Sequence, residues 1–175
     1  MWEDLEARVA TASDLDGLTD TACAALRERR TWLAGDCAAI AVWVPPDVEP
    51  LASKASLLAA TFGERAASVE RLFAQYEAAR PSDRPHHYLT LLATHPDHRG
   101  SGLGMRLLRH TLACVDRERM PACLAVNDAE QEARYARVGF ATIDSFLAGG
   151  EHRVATMWRE PCGRPGAAAR TVLSP

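Results

Sequence analysis

A glycine-rich segment between two apolar elements constrains the fold of this chain more than any other feature. The segment spans residues 99–104 and reads RGSGLG, directly after the apolar run at 88–94. Beyond it, apolar residues recur at helical spacing as far as Arg117. The order of strand, glycine loop and helix gathers unpaired backbone N–H groups and the positive end of a helix dipole in one concavity, which favours a bound phosphate. We therefore predict a cradle for a pyrophosphate group, to which Arg99 adds a positive charge.

Composition places the chain among ordinary globular proteins. Its 175 residues are 47% hydrophobic and 25% charged, enough for one domain with a substantial core. A formal net charge of −3 gives no general attraction to nucleic acid. No apolar run approaches the roughly 20 residues that span a bilayer, and the acidic first residues lack the pattern of a signal peptide. We therefore expect a cytoplasmic protein with no membrane partner.

The cysteines and histidines show no metal-ligand spacing. The five cysteines form no C-x-x-C pair, and the six histidines form no H-E-x-x-H motif. We expect reduced thiols that act as small core residues, and no bound metal.

Strand and helix patterns alternate along the chain, which indicates one α/β domain around a mixed sheet. The predicted strands span residues 8–12, 37–44, 87–94, 122–126, 141–148 and 153–159. The predicted helices span residues 13–30, 50–62, 64–79, 105–117 and 129–138. No linker divides the chain, so we predict a single domain over residues 1–160. Residues 161–175, rich in alanine, glycine and proline, are predicted to be a flexible tail.

Three elements of the sequence resemble a known family. Arg99, Gly102 and Gly104 match the Q/R-x-x-G-x-G/A loop of the GCN5-related N-acetyltransferases (GNAT). The residues HPDH at 95–98 precede the loop, and YARVGF at 135–140 is similar to the YERLGF element of that family. The resemblance covers most of residues 38–158 and is strongest toward the puromycin N-acetyltransferase-like actinobacterial members.

The resemblance implies the GNAT fold: a twisted, mixed and mostly antiparallel sheet of about six to seven strands, flanked by helices. In this fold the strands that begin near residues 91 and 122 splay apart, often at a bulge, and acetyl-CoA enters the gap. The strand edge would hydrogen-bond the pantetheine arm, an N–H on that strand can polarise the thioester carbonyl, and the loop would bind the pyrophosphate. The cofactor-binding residues that the resemblance implies are Leu92, Ala93, Thr94, Arg99, Gly100, Ser101, Gly102, Leu103, Gly104, Met105, Gln131 and Arg134.

The activity that the resemblance implies is acetyl transfer from acetyl-CoA to an amine by direct attack. Tyr135 occupies the position of the acid that protonates the departing thiolate, and a phenol with a pKa of about 10 suits that task. Packing beside the cofactor is the alternative role for Tyr135. For the base we consider His87, which with His86 opens the cofactor strand and has an ordinary pKa of about 6.5. A structural role is the alternative for both histidines.

The chain departs from the puromycin-type pattern at three places. Ala125 stands where those enzymes carry a glutamate, so a carboxylate that could bind or deprotonate the amine is missing. Gln131 and Arg134 replace the Asn and Phe of an N-x-x-F-Y motif. Only residues 28–37 join the first predicted helix to the second predicted strand, where relatives have a further helical segment. We therefore expect that the acceptor is not puromycin.

The function favoured by these observations is N-acetylation of the primary amine of a small molecule, of the antibiotic or secondary-metabolite type. A homodimer is one expected assembly. Two alternatives stay open: an acyltransferase of the same fold that uses an aminoacyl-tRNA, and a CoA-binding protein without catalytic activity. The net charge of −3 argues against tRNA, because phosphate backbones are bound by clustered cations.

Overall fold

Seven β-strands form one continuous sheet in the computed structural model, which describes residues 7–9, 31–46 and 63–163. The strands are β1 (Ala7–Val9), β2 (Thr31–Ala34), β3 (Ala39–Val44), β4 (His87–Thr94), β5 (Ala122–Val126), β6 (Ala141–Ala148) and β7 (His152–Arg159). The helices in these ranges are α1 (Ala66–Ala78), α2 (Leu103–Arg117) and α3 (Ala129–Ala136). Single 3₁₀ turns occupy Gly63–Arg65 and Pro96–His98.

The order of the strands across the sheet is β1-β2-β3-β4-β5-β7-β6. Among the described strands, β4 and β5 are the one parallel pair, and every other neighbouring pair is antiparallel. The predicted fold class, a mixed and mostly antiparallel sheet flanked by helices, is therefore confirmed. The predicted bounds of β4, β5 and β6 match those observed.

Strand β2 corrects the prediction that residues 28–37 are only a connection. Thr31–Ala34 pairs antiparallel with β3, and residues 35–38 form the turn between the two strands. In that turn Cys37 has a φ of 66°, so β3 begins at Ala39 and not at Cys37 as predicted. A four-residue strand is too short to show a periodic pattern, and pairing with its hairpin neighbour stabilises it instead.

Several predictions lie outside the described residues. They concern the helix at 13–30, the helix at 50–62, and residues 164–175 of the tail. The strand predicted at 8–12 is described only over β1. The boundary of a single domain at residue 160 stays a prediction.

One face of the sheet, the core face, packs against α2. Side chains alternate between the faces along a strand, and paired residues share a face. Helix α2 buries Leu107, Leu108 and Leu112 on this face. The strands contribute Leu89, Leu124, Val126, Ala155 and Met157 to the same core.

The opposite face, called here the α1 face, packs against α1. It carries Tyr88 and its neighbour Cys123, and further along the sheet Phe146. The ring of Tyr76 on α1 meets Phe146 edge-on at 5.2 Å between centroids. The guanidinium of Arg80, which follows α1, lies 4.3 Å from the centre of the Tyr88 ring. Helix α1 therefore lies across the sheet on the side that α2 leaves open.

An ion pair between Arg159 and Asp116 joins β7 to the end of α2. The guanidinium donates to both carboxylate oxygens of Asp116 at 2.7 and 2.8 Å, and Arg159 Nε donates to the Val138 carbonyl at 2.9 Å. Burial raises the pKa of Asp116, but hydrogen bonds from Arg159 and from the Cys162 N–H outweigh burial, so this pKa lies below its usual value. The pair therefore fixes α2, β7 and the segment before β6 relative to one another.

Replacement of Asp116 by asparagine should lower the free energy of unfolding at pH 7 by about 3 kcal/mol, because it leaves a largely buried guanidinium without its counter-charge. Since the folded-state pKa of Asp116 is lowered, its contribution is present above the unfolded pKa of about 4 and is lost as pH falls through the folded value. Urea unfolding of both proteins at pH 7 and pH 3 measures the difference, with the exposed Asp83→Asn as control. An equal difference at both pH values would contradict this account.

Candidate functional site

The central feature of the candidate site is a gap between the parallel strands β4 and β5. Their pairing begins at His87↔Ala122 and ends at Leu89↔Leu124. Beyond that point residues 90–94 of β4 have no partner in β5. The gap therefore opens toward the carboxyl ends of both strands, in agreement with the predicted splay.

A β-bulge lies where the gap begins. Strand β3 pairs with β4 through Val42↔Leu91 and Trp43↔Leu89, so Thr90 is the extra residue. A bulge bends its strand and increases the local twist. The bend at Thr90 coincides with the end of pairing to β5, which explains why the two strands separate there.

The glycine loop joins the open end of β4 to α2. Gly100 and Gly102 have φ values of 79° and 76°, a backbone conformation that residues other than glycine rarely adopt. Gly104 has a different role, because a Cβ atom there would lie 2.6 Å from Thr94 Oγ1. The absence of a side chain at 104 thus lets the first turn of α2 pack directly on the end of β4.

The first backbone N–H groups of α2 lack partners within the helix. Arg106 N–H is bonded to the Gly102 carbonyl at 3.0 Å, so the N–H groups of Leu103, Gly104 and Met105 have no acceptor in the helix. The Leu103 N–H is bonded to Ser101 Oγ at 3.3 Å. The other two remain available at the positive end of the helix dipole, as an anion site requires.

The predicted strand residues Leu92, Ala93 and Thr94 lie along the gap. Their pairing partners in β3 are Ala41, Ile40 and Ala39. One edge of β4 is therefore hydrogen-bonded to β3, and the other edge faces the gap with backbone groups that β5 does not use. This edge can accept an extended chain that bears amides.

Tyr135 lies on α3, which begins just after β5. Its ring packs against the core face and meets Phe140 edge-on at 6.1 Å between centroids. Burial raises its pKa above the ordinary value, so the phenol stays protonated in neutral and mildly alkaline solution. Tyr135 and the glycine loop lie on the same face of the sheet, since α2 and α3 both pack there.

Polar contacts hold α3 in place. Asp128 caps the helix by accepting the Gln131 N–H at 2.9 Å. Glu132 accepts from Thr142 Oγ1 at 2.6 Å and from Arg153 at 2.9 Å. Hydrogen bonds from Arg153 and then Thr142 hold the pKa of Glu132 below its usual value. These bonds fix the helix that carries Tyr135 to β6 and β7.

Three predicted cofactor residues point to solvent. The side chains of Arg99, Gln131 and Arg134 are all exposed, and Arg134 forms an ion pair with Glu130 one turn earlier. These exposed cations and this amide are accessible to an anionic ligand. Their assignment as cofactor-binding residues stays a prediction.

The structure does not bring His87 to Tyr135. The His87 side chain is 1% exposed, and its Nε2 lies 2.8 Å from a carboxylate oxygen of Glu118. Glu118 follows the last residue of α2, a helix about 22 Å long that begins at the glycine loop. His87 is therefore enclosed at the closed end of the β4–β5 pair, away from the loop. Its neighbour His86 is also buried, with its ring 5.1 Å from that of Trp158.

One cluster near the gap was not predicted. Arg80 donates to both carboxylate oxygens of Glu77 at 3.1 and 2.9 Å and stacks on Tyr88. The helix predicted at residues 64–79 ends just before Arg80, which the sequence pattern assigns to neither a helix nor a strand. The i, i+3 spacing of opposite charges was the one signal in the sequence, and such pairs are usually surface features.

Comparison with known proteins identifies the class. Residues 60–142 match the sequence model of the acetyltransferase (GNAT) domain family. The prediction of an acyltransferase enzyme is confirmed by this match, which covers residues 60–142. The match includes α1, the bulged strand β4, the glycine loop, β5 and α3.

Solved structures of the same fold accompany this match. One is the histone acetyltransferase HPA2 and related acetyltransferase of Corynebacterium glutamicum, with 21% identity, a TM-score of 0.61, and 92% of this chain and 98% of that chain covered. A mosquito arylalkylamine N-acetyltransferase like 5b has 15% identity and a TM-score of 0.66, with 90% and 100% covered. The Drosophila melanogaster polyamine N-acetyltransferase has 17% identity and a TM-score of 0.57, with 86% and 82% covered. At these identities the likeness shows a common fold.

Two features are absent from the described residues. Across residues 31–46 and 63–163, no helix is long and apolar enough to cross a membrane. In that same part of the chain, no cluster of three or more His, Cys, Asp or Glu side chains could hold a metal ion.

Replacement of Gly104 by alanine should weaken CoA binding by up to about tenfold, because the added methyl group collides with Thr94 Oγ1, so that either this side chain or the first turn of α2 must move. The double variant Gly104→Ala/Thr94→Ala removes the collision and should bind CoA within about threefold of Thr94→Ala alone. Calorimetric titration with CoA measures all four proteins. If CoA affinity fell equally in Gly104→Ala and in the double variant, the contact between residues 104 and 94 would not be what positions the loop.

Proposed function

We propose that this chain is an acetyl-CoA-dependent N-acetyltransferase that acetylates the primary amine of a small molecule. The observation that carries the proposal is the gap between β4 and β5, which joins the glycine loop on the core face to the α1 face. Unpaired N–H groups at a helix start suit a pyrophosphate, and an unused strand edge suits the amides of a pantetheine arm. When bound, acetyl-CoA supplies an acetyl group activated as a thioester.

The loop and the strand hold different parts of the cofactor. The N–H groups of Gly104 and Met105 bind phosphate oxygens, and Arg99 adds a cation at the entrance of the loop. The edge formed by Leu92, Ala93 and Thr94 orients the pantetheine arm along the gap. An N–H beside the bulge at Thr90 would polarise the thioester carbonyl by donating a hydrogen bond to its oxygen. The sheet fixes this donor, so the interaction needs no reorganisation.

Tyr135 acts as the acid in this proposal. Tyr135 would donate its proton, from the core face, to the thiolate released when the C–S bond of the thioester breaks. The amine, approaching from the α1 face in its neutral form, would form the C–N bond, and the proton that its nitrogen then loses would pass to solvent water, from which Tyr135 regains a proton. Its raised pKa supports this role, because the proton is still present when the thiolate forms.

The contacts of His87 support a positioning role rather than that of the base. Its ring is enclosed on the core face and bonded to Glu118, so it cannot meet an amine on the α1 face. The bond joins the end of α2 to the start of β4. It therefore stabilises the closed end of the β4–β5 pair.

Two of the compared structures support a small amine as the acceptor. The mosquito protein is described as an arylalkylamine N-acetyltransferase and the fly protein as a polyamine N-acetyltransferase. A small amine of the antibiotic or secondary-metabolite type, a cytoplasmic location and a homodimer are further parts of this proposal. Ala125 still argues against puromycin itself.

The variant Tyr135→Phe should lower kcat about 100-fold and change the Kd for acetyl-CoA less than threefold, because it removes a proton donor and keeps the packed ring. Thiol release measures turnover on a panel of tyramine, agmatine and spermidine, and calorimetry measures Kd. Unchanged turnover in the variant would leave Tyr135 with packing alone. A wild-type protein that binds neither acetyl-CoA nor CoA would overturn the proposed function.

A further inference from the structure

The α1 face beside the gap carries polar groups among its buried side chains. Tyr88, Cys123 and Thr156 place a phenol, a thiol and a hydroxyl on it. The Thr156 side chain is 1% exposed, and its hydroxyl has no hydrogen-bond partner among the described residues. Buried polar groups are normally paired, so an unpaired one beside an open gap favours a polar ligand there. Leu91, just past the bulge, leaves an apolar side chain 42% exposed on this face.

The end of α1 crosses this surface. At one side Gln75 Oε1 accepts the Gly149 N–H at 3.1 Å, and the Tyr76 ring meets Phe146. At the other side Arg80 stacks on Tyr88. Phe146 and Tyr88 are separated by β7 and β5, so the segment between these two anchors passes over β5 close to the point where it leaves β4.

Glu77 lies within that segment. Its carboxylate is held by Arg80 and is 30% exposed, whereas Arg80 is 14% exposed. Arg80 stacks on Tyr88, which is paired with Cys123 where β4 and β5 are still hydrogen-bonded, so the pair lies near the closed end of the gap. Of the two, Glu77 is the group that an incoming molecule can reach.

Strand β5 provides no carboxylate at this place. Ala125 is paired with Thr156 and faces α1, so the strand contributes only a methyl group where the gap opens. An aliphatic amine arrives protonated at neutral pH and needs an anion that binds and orients it before it loses a proton to solvent water and attacks as the neutral amine. Glu77, which reaches the same surface from α1, meets that need.

We propose that Glu77 binds the ammonium group of the acceptor, and that Arg80 positions the Glu77 carboxylate for this contact. This inference rests on the proposed function. A carboxylate has about four acceptor sites, and the Arg80 bonds occupy two, so an ammonium can share it. The pair is neutral overall, so the acceptor is selected by direct contact rather than by a long-range field. The surrounding Tyr76, Phe146 and Leu91 favour an amine with an aromatic or apolar body.

The variant Glu77→Gln tests the contact directly. Its KM for the panel amine that the wild type acetylates fastest should rise about 10- to 100-fold, which is the loss expected for one charge-assisted hydrogen bond. Its kcat should stay within about threefold of the wild type, and its Kd for acetyl-CoA should be unchanged. Glu77→Asp should recover part of the affinity.

Matched variants separate binding from a general effect. Glu70→Gln removes the same charge from an exposed position two turns earlier on α1 and should leave both constants unchanged. Arg80→Met should raise the KM for the amine. Arg80→Lys should raise it less, as expected for a positioning residue. An unchanged amine KM in Glu77→Gln, or equal rises in the KM values of amine and acetyl-CoA with a lower Tm, would overturn the inference and leave the proposed function intact. If the wild type itself does not bind acetyl-CoA, the result would instead reject the proposed function.

Discussion

The separation of β4 from β5 is the constraint on which the rest of the site depends. A parallel pair requires a crossover, so α2 must start at the open end of β4 and return to the start of β5. The glycine loop is therefore held at the mouth of the gap by topology. The bulge at Thr90 determines where the gap begins, and the close approach of Gly104 to Thr94 determines how near the helix start lies to the strand. One backbone irregularity and one missing side chain thus create the cleft and place the unpaired N–H groups of the helix start at its entrance.

The gap connects two faces with different chemistry. The core face is closed by the leucines of α2 and carries Tyr135 on α3, held by the hydrogen bonds of Glu132. The α1 face carries Tyr88, the buried Thr156 hydroxyl and the Glu77–Arg80 pair. In the proposed function, the acyl donor is held from one face and the acceptor arrives from the other, so neither ligand needs to displace the other. The Arg159–Asp116 pair supports this arrangement because it fixes the end of α2 to β7, next to β5.

Sequence reasoning succeeded where the signal was local and failed where it depended on distant contacts. The order of strand, glycine loop and helix could be predicted because Gly102 and Gly104 lie within a few residues of the strand and helix that they join. Strand β2 was missed because four residues carry little periodic pattern, and only the pairing with β3 makes Thr31–Ala34 extended. The face on which His87 lies could not be read from its position in β4, and Glu118, its partner, is 31 residues away along the chain. The stacking of Arg80 on Tyr88 likewise depends on how α1 crosses the sheet.

The most direct test of this account is hydrogen–deuterium exchange of the backbone amides with and without acetyl-CoA. If the gap and the loop hold the cofactor, exchange should slow at residues 91–94 of β4 and at residues 102–106 at the start of α2. The exchange rates of the amides of β1 and β2, which lie at one edge of the sheet and are separated from β4 by β3, should not change. Protection that appears elsewhere while both of these segments exchange at their original rates would contradict the central claim that the β4–β5 gap is the cofactor site.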